Sequence, residues 1–171
     1  DIDPAQWWDC HVHLIGVGDG GLGVWINPQM QSLAHPIQWL QRAFYLNGSC
    51  TAENGQSDRQ YVERLTWLHD QLPAGMKLML LAFDWFHDQR GRPQRGASAF
   101  HTPNAYARRL HEQYPEQLEW IASIHPYRRD AVAAVASEPH LQIVCAGTNG
   151  QISHMTIFEG DLVVSGPFTG A

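Results

Sequence analysis

Residues 8–14 (WDCHVHL) read as a β-strand, and 77–83 (KLMLLAF), 119–125 (EWIASIH) and 141–146 (LQIVCA) are further short apolar runs bounded by Pro, Gly or polar residues. A strand with one wet face alternates polar and apolar side chains. Nearly continuous apolarity instead predicts strands covered on both faces, as in parallel sheets. Helical patterns fill the gaps. SDRQYVERLTWLHDQLP (57–73) opens with a Ser57…Gln60 capping box, places Tyr61, Leu65, Leu68 and Leu72 on one stripe, and stops at Pro73. TPNAYARRLHEQYP (102–115) offers Thr102 as N-cap and Pro103 at the first helical position, with Tyr106, Leu110 and Tyr114 facing inward. Residues 37–46 and 130–138 are weaker helix candidates. The alternation predicts an α/β fold built on parallel strands.

After Gly147 the character changes: Gln151–Phe158 and Asp161–Val164 are β-rich and joined by a short Glu-Gly-Asp turn, which predicts a C-terminal β-hairpin added to a sheet edge. The expected organisation is one α/β unit over 1–147, with 148–171 as a β-rich tail packed on the same domain.

The formal charge is −6, and seven of the ten arginines lie between Arg90 and Arg129, interleaved with acids. No dense, uncompensated basic face results, so nucleic acid is not an expected partner. Cys10, Cys50 and Cys145 are odd in number and widely spaced, which argues against a disulfide framework and against a cysteine zinc site. With no apolar run near the ~18 residues of a membrane span, the expectation is a cytoplasmic protein with no membrane partner. Asn47-Gly48-Ser49 would accept a glycan only in a secreted chain.

The stretch WDCHVHLIGVGDGGLG (8–23) carries the chemistry. Alternation along a strand points His11 and His13 to one face, about 6.6 Å apart along the backbone, within reach of a single ion at Zn–N of about 2.0–2.1 Å. Two histidines hydrogen-bonded to neighbouring loops would show the same spacing. Gly16-Val17-Gly18-Asp19-Gly20-Gly21 matches a dinucleotide fingerprint, but Pro28 and Pro36 interrupt the next stretch of chain and no acid occurs between Asp19 and Glu53. The pyrophosphate reading needs a helix starting at the loop and an acid about 20 residues later, so it fails. The glycines are expected to let a long loop fold closely over the site. HDQRGRPQRGAS (87–98) is either a solvated loop or an arginine-rich clamp for a substrate carboxylate.

WDCHVHLIGVGDGGLGVWINP, with LLAFD (80–84), TPNAYARRLHEQYP and IASIHPYRRDA (121–131), resembles the N-terminal part of the amidohydrolase family, in particular the amidohydrolase-related metal-dependent TIM-barrel hydrolases. The likeness runs from about residue 8 to about residue 137, and Asp9-x-His11-x-His13 is its most specific part. It implies a partial (β/α) barrel, the first half of a TIM barrel. His11 and His13 would then ligate a divalent metal, zinc for preference, which activates water for hydrolysis of an amide, ester or related C–N or C–O bond, or for decarboxylation. Asp84 and His125, ending the second and third strands, would stand at the same rim, Asp84 orienting a ligand histidine by a hydrogen bond and His125 beside the metal or touching substrate.

A family member would add a Lys or Glu after strand four, a His after each of strands five and six, and an Asp after strand eight. None has a counterpart here, and the general base is unidentified. A TIM barrel needs at least about 200 residues. The expectation is therefore a fragment, a half-barrel relic, or a chain whose missing strands come from a homo-oligomer or another polypeptide. His154 is the one tail residue able to complete a triad of imidazoles. The alternatives are a non-catalytic α/β subunit or binding module with an incomplete metal site, and a phosphoesterase with the same HxH start. A small-molecule substrate is the expected partner of the active form.

Overall fold

A computed structural model describes residues 3, 7–51 and 54–137, together with the strands 142–146, 152–158 and 161–164. In chain order these comprise β1 (Trp8–His13), β2 (Trp25–Ile26), α1 (Pro36–Ser49), α2 (Ser57–His69), β3 (Lys77–Leu81), β4 (Phe100–His101), α3 (Asn104–Gln113), β5 (Leu118–Ser123), α4 (Ala131–Ala136), β6 (Gln142–Ala146), β7 (Ile152–Phe158) and β8 (Asp161–Val164). The main sheet runs β1-β3-β5-β6-β7-β8. β1, β3, β5 and β6 pair in parallel, whereas β6–β7 and β7–β8 are antiparallel. β2 and β4 form a separate two-residue antiparallel pair that the sequence pattern did not announce.

The α/β class and the parallel strands agree with the apolar runs. Among the described residues no barrel is closed: β1 ends the sheet on one side and β8 on the other. How the tail from 148 onward packs lies outside the described residues, apart from the pairing of β7 and β8. Among the described residues no helix is long and apolar enough to cross a membrane.

The apolar strand positions divide by parity. Leu78, Leu80 and Leu118 join Val62 and Leu65 of α2 and Tyr106, Ala107 and Leu110 of α3 in the main core, while Met79, Leu81 and Ile121 form a small cluster on the other side of the sheet. The predicted inward face of α3 is correct. On α2 the stripe is rotated: Val62 and Leu65 are buried but Leu68 is exposed, and Leu72, also exposed, lies beyond the helix end at His69.

Helix starts also differ from the sequence pattern. Ser57 is the first residue of α2, after Gln56, so it does not occupy the cap position; the first amides of the helix are capped by the distant carboxylate of Asp19. Helix α3 begins at Asn104 with Pro103 in the cap position. Thr102 turns its hydroxyl to donate to the Leu14 carbonyl at 2.8 Å, tying the end of β1 to the approach of α3. The chain leaves α1 through Cys50, whose φ of 53° closes the helix without glycine.

Candidate metal site at the end of the first strand

The glycine loop after β1 is organised around one buried carboxylate. Asp58 is 1% exposed and lies in the first turn of α2. Its Oδ1 accepts from the backbone N–H groups of Val17 (2.7 Å) and Gly18 (3.1 Å), and its Oδ2 from Gly20 (3.0 Å). Asp19 returns the contact, since its two oxygens accept from the Ser57 and Asp58 N–H groups at 2.7 and 2.9 Å. Each acid thus satisfies amides next to the other, and Asp19 supplies the cap that α2 lacks locally. Burial would raise the Asp19 carboxyl, but the hydrogen bonds from Asp58 and Ser57 outweigh it and hold the group below the usual carboxylate range. A Cβ at Gly16 would stand 2.3 Å from the Asp58 carboxylate. Loop amides that the GxGxxG reading would have offered to a phosphate are therefore taken up by Asp58.

This lock orients the end of β1. The register slips by one residue between Asp9 and Val12, where three steps of β1 oppose two of β3, so strict alternation from Asp9 does not hold across it. His11 and His13 nonetheless converge: their Nε2 atoms are 3.1 Å apart and their ring centroids 4.7 Å. His13 stacks on Phe83, and its carbonyl accepts a short hydrogen bond from the Tyr61 hydroxyl of α2. Burial pushes that tyrosine up to about 12, so it remains a donor. Both histidines face an open groove of about 740 Å³ whose other walls include Phe44, Leu65, Leu68 and Leu72.

Two features bear on whether this pair fits an ion. Ligands about 2.05 Å from a shared centre lie about 2.9 Å apart at a right angle and about 3.3 Å apart in a tetrahedron, and the observed 3.1 Å falls between. In a head-on N–H···N bond, hydrogen and lone pair lie on the ring axes, so this nitrogen separation would set the centroids about 5.4 Å apart. Rings aimed at a common ion would have centroids about 4.8 Å apart, close to the 4.7 Å found, a separation that a bent N–H···N hydrogen bond between the two rings gives equally.

The other expected rim residues do not join this pair. Asp84, expected to orient a ligand histidine, accepts instead from the backbone N–H of His125 (2.9 Å), from Trp85 N–H (2.8 Å) and from the Arg128 guanidinium (3.1 Å). It clamps the loops after β3 and β5 together. Arg128 also bonds Asp130, and the two carboxylates hold the guanidinium above its ordinary value. His125, expected beside the metal, is 2% exposed and packs against Phe86, His87 and Tyr127. Its Nδ1 accepts from Tyr127 N–H, and its buried Nε2 has no partner among the described residues. Burial, reinforced by His87 at 5.3 Å between centroids, pushes the His125 imidazole below its ordinary value.

His87 was invisible to sequence reasoning, because nothing in its neighbourhood marks it as more than part of a polar loop. The Asp19–Asp58 pair was equally hidden. Only an acid inside a glycine loop and another at a helix start hinted at it. His154 lies on β7, four places along the sheet from β1, about 19 Å at ~4.8 Å per strand. Its side chain is outside the described residues, and the backbone does not place it beside the pair. The described residues contain no group of three His, Cys, Asp or Glu able to hold a metal. Two of the three arginines of 87–98 are engaged locally: Arg92 pairs with Asp88, and Arg95 lies over the Trp85 ring. No protein-family model, no curated protein and no solved structure matches the chain, so its site is described by its own geometry alone.

Proposed function

We propose that the chain carries the first corner of a metal-dependent hydrolase site of the amidohydrolase type, in a partial (β/α) barrel, with His11 and His13 as two ligands of a divalent ion, zinc for preference. The ring convergence at 3.1 Å between Nε2 atoms and 4.7 Å between centroids carries this reading. The chemistry such an ion supplies is a water of lowered pKa and polarisation of a scissile carbonyl, for an amide, ester or related bond. The chain's own contribution is orientation. Phe83 stacks on His13, Tyr61 holds its carbonyl, and the Asp19–Asp58 lock sets the loop beyond it.

The second reading is a non-catalytic α/β module with an incomplete metal site. It is favoured by the lack of a third ligand among the described residues and by the local engagement of Asp84 and His125. Zinc titration followed by calorimetry, together with the metal content of purified protein, tests the first reading. One ion per chain, lost in both His11→Ala and His13→Ala, supports it. Unchanged uptake in those variants, or none in the parent, overturns it. Stoichiometric zinc without turnover of an ester and amide panel would select the second.

A further inference from the structure

Helix α1 displays to solvent the residues that an amphipathic helix normally buries. Ile37, Leu40 and Phe44 recur at the three- and four-residue spacing that makes one stripe, and they are 70%, 64% and 75% exposed. No residue of α1 is buried. Leu33, just ahead of the helix, is also exposed, and across the groove stand Leu68 of α2 and Leu72 just beyond its end. Leu33, Ile37, Leu40 and Phe44 together leave on the order of 500 Å² of apolar surface accessible, at the upper end of the ~300–600 Å² patch of a typical monomer. A standard interface takes about 800 Å² per partner, a little over half of it apolar, so this face alone supplies the apolar share.

We propose that this face is where two copies of the chain pack against each other, α1 against α1, related by a two-fold axis near Leu40. A two-fold interface must be complementary to itself. The stripe meets that condition, because in an antiparallel pair Ile37 of one copy faces Phe44 of the other while Leu40 meets Leu40. Charge points the same way. The chain has a formal charge of −6, so most faces would repel a second copy, but Arg42 is the one Asp, Glu, Lys or Arg residue between Asp19 and Glu53. The groove holding His11 and His13 shares Phe44, Leu68 and Leu72 with this face. The pairing does not depend on metal at that groove.

Light scattering after size exclusion, across a micromolar to submillimolar dilution series of the full chain, reads the association. A dimer is expected, with Leu40→Glu and Phe44→Glu each raising its dissociation constant at least about thirty-fold, the scale of an interface hot spot. Val132→Glu, at an exposed position on α4, leaves it unchanged. A Leu40→Cys variant, with Cys10, Cys50 and Cys145 replaced by serine, is expected to form a disulfide-linked dimer on mild oxidation, which keeps the test valid if a charged variant folds poorly. A monomer throughout the series overturns the proposal and leaves a different protein as the occupant. A dimer indifferent to both charged variants and not cross-linked through position 40 overturns the assignment of the face. Zinc content measured on the same samples reports separately on the metal site.

Discussion

The two sides of the parallel sheet are built differently. One carries α2 and α3 over Leu78, Leu80 and Leu118, with Leu14, Val24 and Ala82 completing a broad core. Across the sheet, the corresponding buried cluster is only Met79, Leu81 and Ile121. His13 pairs with Leu81 in the parallel register and so stands on this sparser side. The strands are apolar on both faces, yet among the described residues α2 and α3 cover the first face while the buried cluster on the second is made of strand residues alone. Stability resides on the first side, and the candidate chemistry lies at the end of a strand on the second.

Core truncation gives the largest expected effect and tests the comparison directly. Leu80→Ala, at a side chain with no exposure, is expected to cost about 4 kcal/mol, against about 2 kcal/mol for Leu81→Ala across the sheet, both within the known range for such deletions. Urea unfolding measures both. Equal costs would show that the second side is as tightly packed as the first. Next comes the loop lock: Asp58→Ala strands three backbone donors and is expected to cost about 3 kcal/mol in the same assay. It should also weaken zinc uptake if the loop orients His13, and an unchanged affinity would separate lock from site.

A smaller effect links the two sides. Tyr61→Phe removes the donor to the His13 carbonyl while keeping the ring in the core, at about 1 kcal/mol. The nitrogen resonances of His13 should shift, and a silent spectrum would uncouple α2 from the histidine pair. Least of all is the pH response of the rim. The folded His125 imidazole lies below the unfolded value of 6.5, so folding favours its neutral form. Its contribution is complete above about pH 6.5 and is lost as the pH falls through that value and then through the lower folded one. The urea midpoint should drop between pH 7.5 and 5.5, and His125→Asn, which keeps an acceptor for Tyr127 N–H, should reduce the drop.

Much of the scaffold was legible along the chain. The apolar runs marked β3 and β5 because a strand buried on both faces leaves no polar alternation, and Tyr106 and Leu110 marked the inner stripe of α3 through helical spacing. Cap positions were less legible. The Ser57 box is a local pattern, but the amides at that helix start are taken by Asp19, 38 residues away, in a stronger charged contact. Leu68 and Leu72 fit the α2 stripe by spacing yet are exposed: the helix ends at His69, before Leu72, and both side chains line the open groove beside β1. The two-residue pair β2–β4 is too short to leave a periodic trace.

By itself the sequence determined what local physics determines: the class of fold, the parallel habit of its strands, and the placing of two histidines one residue apart at the end of the first. Tertiary structure decided which of those groups meet. His11 and His13 converge, Asp84 and His125 turn to each other and to Arg128, and the glycine loop closes on Asp58. Each outcome depends on contacts between segments far apart in the chain, whose geometry no short-range pattern encodes.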